Sequence, residues 1–409
     1  MDAPHSRGST GKIRDGLNPV EYLWRDHYYF LKEHGYTLRP RYHPEWIPSW
    51  LGTDKCFTEC EDGHMISSSG QVLDASRADG TVVALKRIDI SLGNDEITIG
   101  KYFSSGPLAS DPRNHCVPIL DIIEPKEGSN IAFIAMPLLI NTRSYVPFTT
   151  IGEVVEFFRQ IIEASHSFIP IVELILISDS KCDNIMGDGL ILFDSPPHPS
   201  QRIMKRDFSG RAPKPTTRTL RPIKYYFIDF DLSHKYREED APYLKDAPWG
   251  GDWTVPEHQG PNFTPCEPFA VDVYCLGNGF KNIIVPHRGF EFMRELVMDM
   301  MNADPKKRPT MSEVVSRFGI IMKNLSWLKL RSPVVRIDAR WTRQDSIQHW
   351  KTQVYNMISG VPAIPKYQEQ VSGREVQWLR WRELFACLGK QVSKMVHWIP
   401  MIPRSVDIK

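Results

Sequence analysis

The run "GTVVALKRIDI", residues 80 to 90, constrains the fold more than any other stretch. Its β-branched and apolar residues specify a strand, and Lys86 stands inside it. An ammonium group buried in such a strand is costly unless a carboxylate pairs with it. Glu96 lies ten residues on, in the stretch "NDEITIGKYFSS" that reads as a helix, and offers that partner. The plainer alternative is a Lys at a strand end whose head reaches water.

The rest of the chain sorts itself around that strand. "NIAFIAMPLL", residues 130 to 139, is a second buried strand, and residues 56 to 140 read mainly as short strands. From residue 150 helices dominate. "TTIGEVVEFFRQIIEA" has Thr149 or Thr150 as its cap, and "EFMRELVMDMMNADPKKRPTMSEVVSRF" reads as two helices about a Pro-marked turn. A strand-rich part before a helix-rich part predicts an α+β architecture of two lobes with a cleft between them. Residues 1 to 17 are polar and Gly/Ser-rich, the composition of a disordered tail. A helix is expected over residues 18 to 34, with Asn18 as cap, Pro19 in first position, Glu21 as capping-box carboxylate and Gly35 as stop. The Pro- and aromatic-rich "YTLRPRYHPEWIPSW" follows as an extended strap, closing an N-terminal segment of residues 18 to 55.

Composition narrows the function classes. A formal charge of +1 over 409 residues gives no global argument for nucleic acid or for an acidic membrane. The seven cysteines are odd in number and only Cys56 and Cys60 lie close, so neither a zinc knuckle nor a disulfide framework is expected. Reduced thiols fit an intracellular setting, cytoplasm or nucleus. The start "MDAPHSRGSTGKIRDG" has no apolar core of a secretory signal, and the longest apolar run, residues 168 to 177, is too short to span a bilayer. That run is also unusually apolar for a connecting segment; it reads either as a buried strand or as a misjoined coding boundary.

Three polar features then follow Lys86 and Glu96 in order. "DSKCDN" carries Asp179, Lys181 and Asn184; "YYFIDFDLS" ends an aromatic strand in Asp229; and Glu257 in "VPEHQ", Asp272 in "DVYCLGNG" and Arg308 in "NADPKKRPT" complete the series. Taken singly, these are a polar turn, a strand-end Asp and ordinary surface charges. Taken in order, the set resembles the protein kinase superfamily over about residues 56 to 325. The strap and "PLASDPRNHCVPI" resemble kinase-like proteins expanded in mushroom-forming fungi.

The resemblance implies a two-lobed protein-kinase-like fold: a β-rich lobe over 56–139, a helical lobe over 140–325 with an insertion at about 190–222, and a C-terminal extension over 326–409. It implies ATP and Mg2+ as cofactors and an unnamed protein as substrate, with no nucleic acid. Asp179 orients the acceptor hydroxyl, Lys181 neutralises the transferred phosphate, and the Lys86–Glu96 pair positions the inner phosphates. Asn184 and Asp229 would hold the metal. Gly70 and Val72 belong to the phosphate loop; Val72, Ala84 and Met186 sandwich the adenine; Met136 stands at the gate and Leu138 in the hinge. Glu257 and Arg308 form a structural ion pair, and Asp272 organises the catalytic loop.

The pattern also breaks. Met65 and Ser67 stand where the phosphate loop has glycines, Ile177 and Ser178 replace His and Arg before Asp179, and Asp231 replaces the Gly after Asp229-Phe230. Losing that Arg removes the usual dock for a loop phosphate, so phosphorylation at Ser233, Tyr236, Tyr243 or Thr254 is not expected to be needed. Packing of Trp249 and Trp253 is expected to order the loop instead. The alternative function is a pseudokinase scaffold that binds nucleotide weakly or not at all. Past residue 325, "EVQWLRWRELFACLGKQVSKMVHWI" reads as a basic amphipathic helix, with packing favoured over membrane contact.

Overall fold

The computed structural model describes residues 16–65, 69–92, 96–125, 127–141, 146–167, 173–176, 184–231, 233–237, 243–244, 246, 252–259 and 265–367. Asp179, Lys181, Trp249 and the amphipathic stretch beyond residue 367 lie outside them.

Five strands form one antiparallel sheet: β1 (Tyr36–Leu38), β2 (Val72–Arg77), β3 (Val82–Asp89), β4 (Asp121–Ile123) and β5 (Ile131–Pro137), in the order β1-β2-β3-β5-β4. Gly80, at φ +82°, makes the tight turn from β2 to β3 that a side chain would strain. Val72 pairs with Lys86, and Ala84 with Met136. Since side chains alternate along a strand, Val72, Asp74, Ala84, Lys86, Ile134 and Met136 share one face. Leu73, Ala75, Val83, Leu85, Phe133 and Ala135 occupy the other.

That second face is covered from the N-terminus. Two short helices, α1 (Tyr22–Asp26) and α2 (Tyr28–Glu33), lay Trp24, Tyr28 and Leu31 across it. Full burial of a large apolar side chain contributes about 1.5–3 kcal/mol, so this cover is an integral layer of the sheet. The single helix expected over 18–34 is in fact broken at His27, which leaves helical dihedrals (φ −101°, ψ 8°) between α1 and α2. The strap is likewise not external: Tyr36–Leu38 is the edge strand of the sheet. The described residues of the stretch 56–71, namely 56–65 and 69–71, expected among the strands, hold instead two single 3-10 turns (Phe57–Glu59 and Glu61–Gly63).

The helical half is organised by α5 (Ile151–Ser167), which follows α3 (Glu96–Phe103) and α4 (Gly106–Ala109). Val154, Val155, Phe157, Phe158, Ile161 and Ile162 are all buried, so α5 is a central helix packed on several sides. Thr150 caps it, its hydroxyl accepting from Glu153 N–H. Around it stand α6 (Pro268–Ile284), α7 (Arg294–Met300), α8 (Met311–Asn324) and α9 (Trp327–Arg331), and Phe280 of α6 meets Phe158 at 4.3 Å between ring centres. Ile134 and Met136 belong to this same core, so the Lys86 face of the sheet is turned toward the helices. The architecture is therefore mixed α+β. A further helix, α10 (Arg343–Ile358), is tied to α9 by Arg331, which donates to Gln353 and to the Val361 carbonyl.

Two short antiparallel ribbons lie between the halves in sequence. β6 (Glu173–Leu176) pairs with β9 (His234–Arg237), and β7 (Ile185–Gly187) with β8 (Tyr225–Phe227). The apolar run at 168–177 thus contributes a strand. Among the described residues no helix is long and apolar enough to cross a membrane.

Candidate functional site

Lys86 is placed by the middle of β3 and Glu96 by the first turn of α3. Lys86 Nζ donates to Glu96 Oε1 at 2.5 Å and to Asp229 Oδ1 at 2.5 Å. The Lys86 and Glu96 side chains are 11% and 4% exposed, and that of Asp229 is 36% exposed. The other oxygen of Asp229 accepts no hydrogen bond among the described residues.

Asp229 reaches this position through its backbone. Its φ is +66°, the left-handed region, where Asp is among the few residues tolerated. The strand before it is pinned on both sides. Phe227 N–H donates to the His115 carbonyl and Val117 N–H to the Phe227 carbonyl, while Ile228 N–H donates to the Asn184 carbonyl. Burial pushes His115 down to about 4, so the ring is neutral and its Nδ1–H donates to the Tyr225 carbonyl at 2.7 Å. Asn184 and Asp229 therefore emerge from the same end of the β7–β8 ribbon. Phe230 is buried and approaches Phe103 of α3 at 6.4 Å, tying the Asp229 turn to the helix that carries Glu96.

The electrostatics are unbalanced. Burial would discharge Lys86, but Glu96 and Asp229 outweigh it and hold the ammonium above its usual value. Burial raises the Glu96 carboxyl, Lys86 opposes this, and the charges of Asp229 and Asp231 add to it, so Glu96 also stands above its usual value. One ammonium thus serves two carboxylates with a third nearby. Such a site gains by admitting another cation. Asp229 offers an oxygen for one and Asn184 stands at the same ribbon end. Among the described residues no three His, Cys, Asp or Glu side chains come together as a ready-made metal site.

The second ion pair read from the sequence is formed. Arg308 grips Glu257 with two hydrogen bonds, 2.7 and 2.6 Å, and donates further to the carbonyls of Ala270 and Asn302. Its guanidinium also lies over the Tyr274 ring at 4.9 Å. Asp272 is half-buried in the second turn of α6. Residues 252–259 are held on α6: Asn278 donates to Asp252 and Thr254, and Tyr274 to the Thr254 carbonyl. These bonds order the segment, whereas Trp253, expected to anchor it, is 53% exposed.

The residues assigned to nucleotide binding divide. Val72, Ala84 and Met136 share the Lys86 face, Leu138 follows them half-buried, and Met186 lies in β7. Ala84 and Met136 are already 7% and 9% exposed. Gly70 is turned elsewhere. At φ +66° its carbonyl accepts from Trp24 Nε1 at 2.8 Å, and an added Cβ would lie 2.6 Å from the Val20 carbonyl oxygen. Its need for glycine comes from packing under the N-terminal helix. No short glycine turn joins β1 to β2; the chain between them covers residues 39–71.

One cluster was missed. Asp74 is on the Lys86 face beside Ala84, fully buried, with Arg39 of the strap on one oxygen (3.0 Å) and Arg206 of the insertion on the other (2.8 Å). His198, also of the insertion and also buried, donates to Glu61 at 3.2 Å; its Nδ1 accepts from the Gln201 N–H, which fixes the tautomer. An Asp between Leu73 and Ala75, in a strand paired with the apolar Val82–Leu85, was the available signal. Residues 190–222 thus run from the helical half back to the sheet. Their later part is anchored on α5, where Glu153 accepts from Thr219 N–H and hydroxyl.

No protein-family model and no curated protein matches this chain.

Proposed function

We propose that the chain is a protein kinase-like phosphotransferase that binds Mg-ATP on the Lys86 face of the sheet and passes its terminal phosphoryl group to a protein hydroxyl. The observation that carries this reading is the single ammonium of Lys86 held between Glu96 and Asp229. A cation fixed in this way is available to phosphate oxygens, and a half-exposed carboxylate beside Asn184 is available to Mg2+. The strand order and the Glu257–Arg308 pair are in keeping with a two-lobed kinase-like fold. Bound Mg-ATP would supply the phosphoryl group. Lys86 would neutralise its phosphates, Glu96 would hold Lys86 in place, and Asp229 with Asn184 would hold the metal. Asp179 and Lys181, three and five residues past β6, are assigned the acceptor hydroxyl and the transferred group.

The test is transfer of label from γ-labelled ATP, with Mg2+, to a general protein acceptor. Transfer that disappears in Lys86→Met is expected. Absence of both transfer and nucleotide binding in the native chain would sink the proposal.

A second reading, a pseudokinase scaffold, is favoured by two observations. Ala84 and Met136 are covered by protein already, and Gly70 serves packing rather than a phosphate loop. Nucleotide binding without transfer, or neither, is the outcome it predicts.

A further inference from the structure

A cavity of about 1120 Å³ lies beside the free edge of β1, walled by the strap, the sheet edge and the insertion. Thr37 and Ser76 line it, and they pair across β1 and β2. Ser76 in turn pairs with Val82, four residues along β3 from Lys86. At about 3.3 Å per residue the cavity is roughly 13 Å from the Lys86 site.

Its wall is balanced in charge but not in hydrogen-bonding capacity. Arg39, Lys205 and Arg206 contribute cations, while Glu61 and Asp207 line it with carboxylates and Asp74 stands behind. The carboxylates are partly engaged. Asp74 has a guanidinium on each oxygen, Glu61 takes Arg39 and His198 on one oxygen, and the exposed Asp207 takes the Ser209 N–H on one. Burial would raise Glu61, yet the bonds from His198 and Arg39 hold it below its usual value, so it stays an acceptor already in use. The donors are not exhausted. Lys205 is half-buried and makes no ion pair among the described residues. Arg206 bonds through Nη2 alone. Ammonium and guanidinium groups donate and do not accept, so an oxyanion is the ligand that complements them. The rings of Tyr28 and Trp46 complete an apolar side of the wall.

We propose that this cavity is a binding site for a small oxyanion, a carboxylate or phosphate ester, carried on a flat apolar body. Lys205 and Arg206 receive the oxyanion, and the aromatic side of the strap receives the body. The site is separate from the Lys86 cluster and does not rest on the phosphotransferase reading.

The experiment is calorimetric titration of the full chain with phenyl phosphate, benzoate and the neutral benzyl alcohol, repeated with saturating Mg-ATP. Saturable binding of at least one anion at one per chain is expected, with the preferred anion telling phosphate from carboxylate. Benzyl alcohol should bind much more weakly. Lys205→Met spends no native ion pair, so it should fold as the native chain does and lose about tenfold or more in affinity. Absence of anion binding, equal binding of the alcohol, or unchanged affinity in Lys205→Met would overturn the proposal. So would displacement by Mg-ATP or loss in Asp229→Asn, either of which would put the anion at the Lys86 cluster.

Discussion

Two buried cation–carboxylate assemblies in this molecule differ in a way that separates structure from function. In the strap, Arg41 grips Glu21 through two nitrogens at 2.6 and 2.8 Å and spends a third on the Asp62 carbonyl. One charge meets one charge, and every nitrogen is used. At the Lys86 cluster one ammonium is divided between Glu96 and Asp229, a third carboxylate is near, and Asp229 sits in left-handed backbone with an open face. The first arrangement is complete within the chain. The second carries excess negative charge and a locally unfavourable dihedral, the features on which the proposed nucleotide and metal site rests.

The largest effect should come from opening a complete clamp. Arg41→Met leaves the buried Glu21 carboxylate unpaired, and Arg308→Leu strands the largely covered Glu257, at a cost of about 3–5 kcal/mol for the buried case, read as a lowered denaturant midpoint. Lys86→Met should cost clearly less, because burial and the charges of Asp229 and Asp231 raise the Glu96 carboxyl, which eases its protonation once the ammonium is gone. Equal losses in all three variants would erase the distinction between the assemblies.

Gly70→Ala comes next. A left-handed Ala costs about 1–2 kcal/mol, and contact with the Val20 carbonyl adds to that. Stability should fall while nucleotide response, per folded molecule, is unchanged. The reverse pattern would return Gly70 to a phosphate loop.

Acid should sharpen the contrast. Burial would raise Glu21, but Arg41 and the Asn18 N–H hold it below its usual 4.5, and Glu61 is likewise lowered. A carboxylate depressed in the folded state stabilises fully above its unfolded pKa and loses that contribution as pH falls through the folded value. The strap should therefore loosen below about pH 4.5; Glu96, raised rather than lowered, should not contribute to that loss. Hydrogen exchange of β1 amides against pH is the measurement, and an acid-insensitive β1 would contradict it.

The smallest effect is expected in the loop before Glu257. The Thr254 hydroxyl donates to Asp252 at 2.7 Å, so a phosphate there would face a carboxylate. Thr254→Ala should cost about 1 kcal/mol, and phosphatase treatment should leave activity unchanged. A loss of activity traced to this residue would show that a nearby cation receives a phosphate.

What was legible in the sequence follows the range of the interactions. Asn18 and Glu21 form the expected capping box, Asn18 N–H donating to Glu21 at 2.8 Å, because its partners are three residues apart. Lys86–Glu96 was legible since an apolar strand strands a cation and the next helix begins with an acid. Glu257–Arg308 spans 51 residues and was legible only through the ordered resemblance. The Arg41–Glu21 and Arg206–Asp74 bonds were not legible. Many Arg and Asp residues are available, and nothing local says which pair when the strap and the insertion fold back onto the sheet. His27 shows the same limit: the signals at Asn18, Pro19, Glu21 and Gly35 mark the two ends of one helix, and nothing local marks the break at His27.

The central claim is that the Lys86 cluster is a nucleotide and metal site rather than a structural clamp. Thermal unfolding of the native chain and of Asp229→Asn, each titrated with Mg-ATP, tests it most directly. The account predicts that native Tm rises saturably with Mg-ATP. It predicts that Asp229→Asn begins at an equal or higher Tm, since one excess charge is removed, and shows no rise. An Asp229→Asn chain that is destabilised as severely as Arg41→Met, or that keeps the full Mg-ATP response, would contradict it.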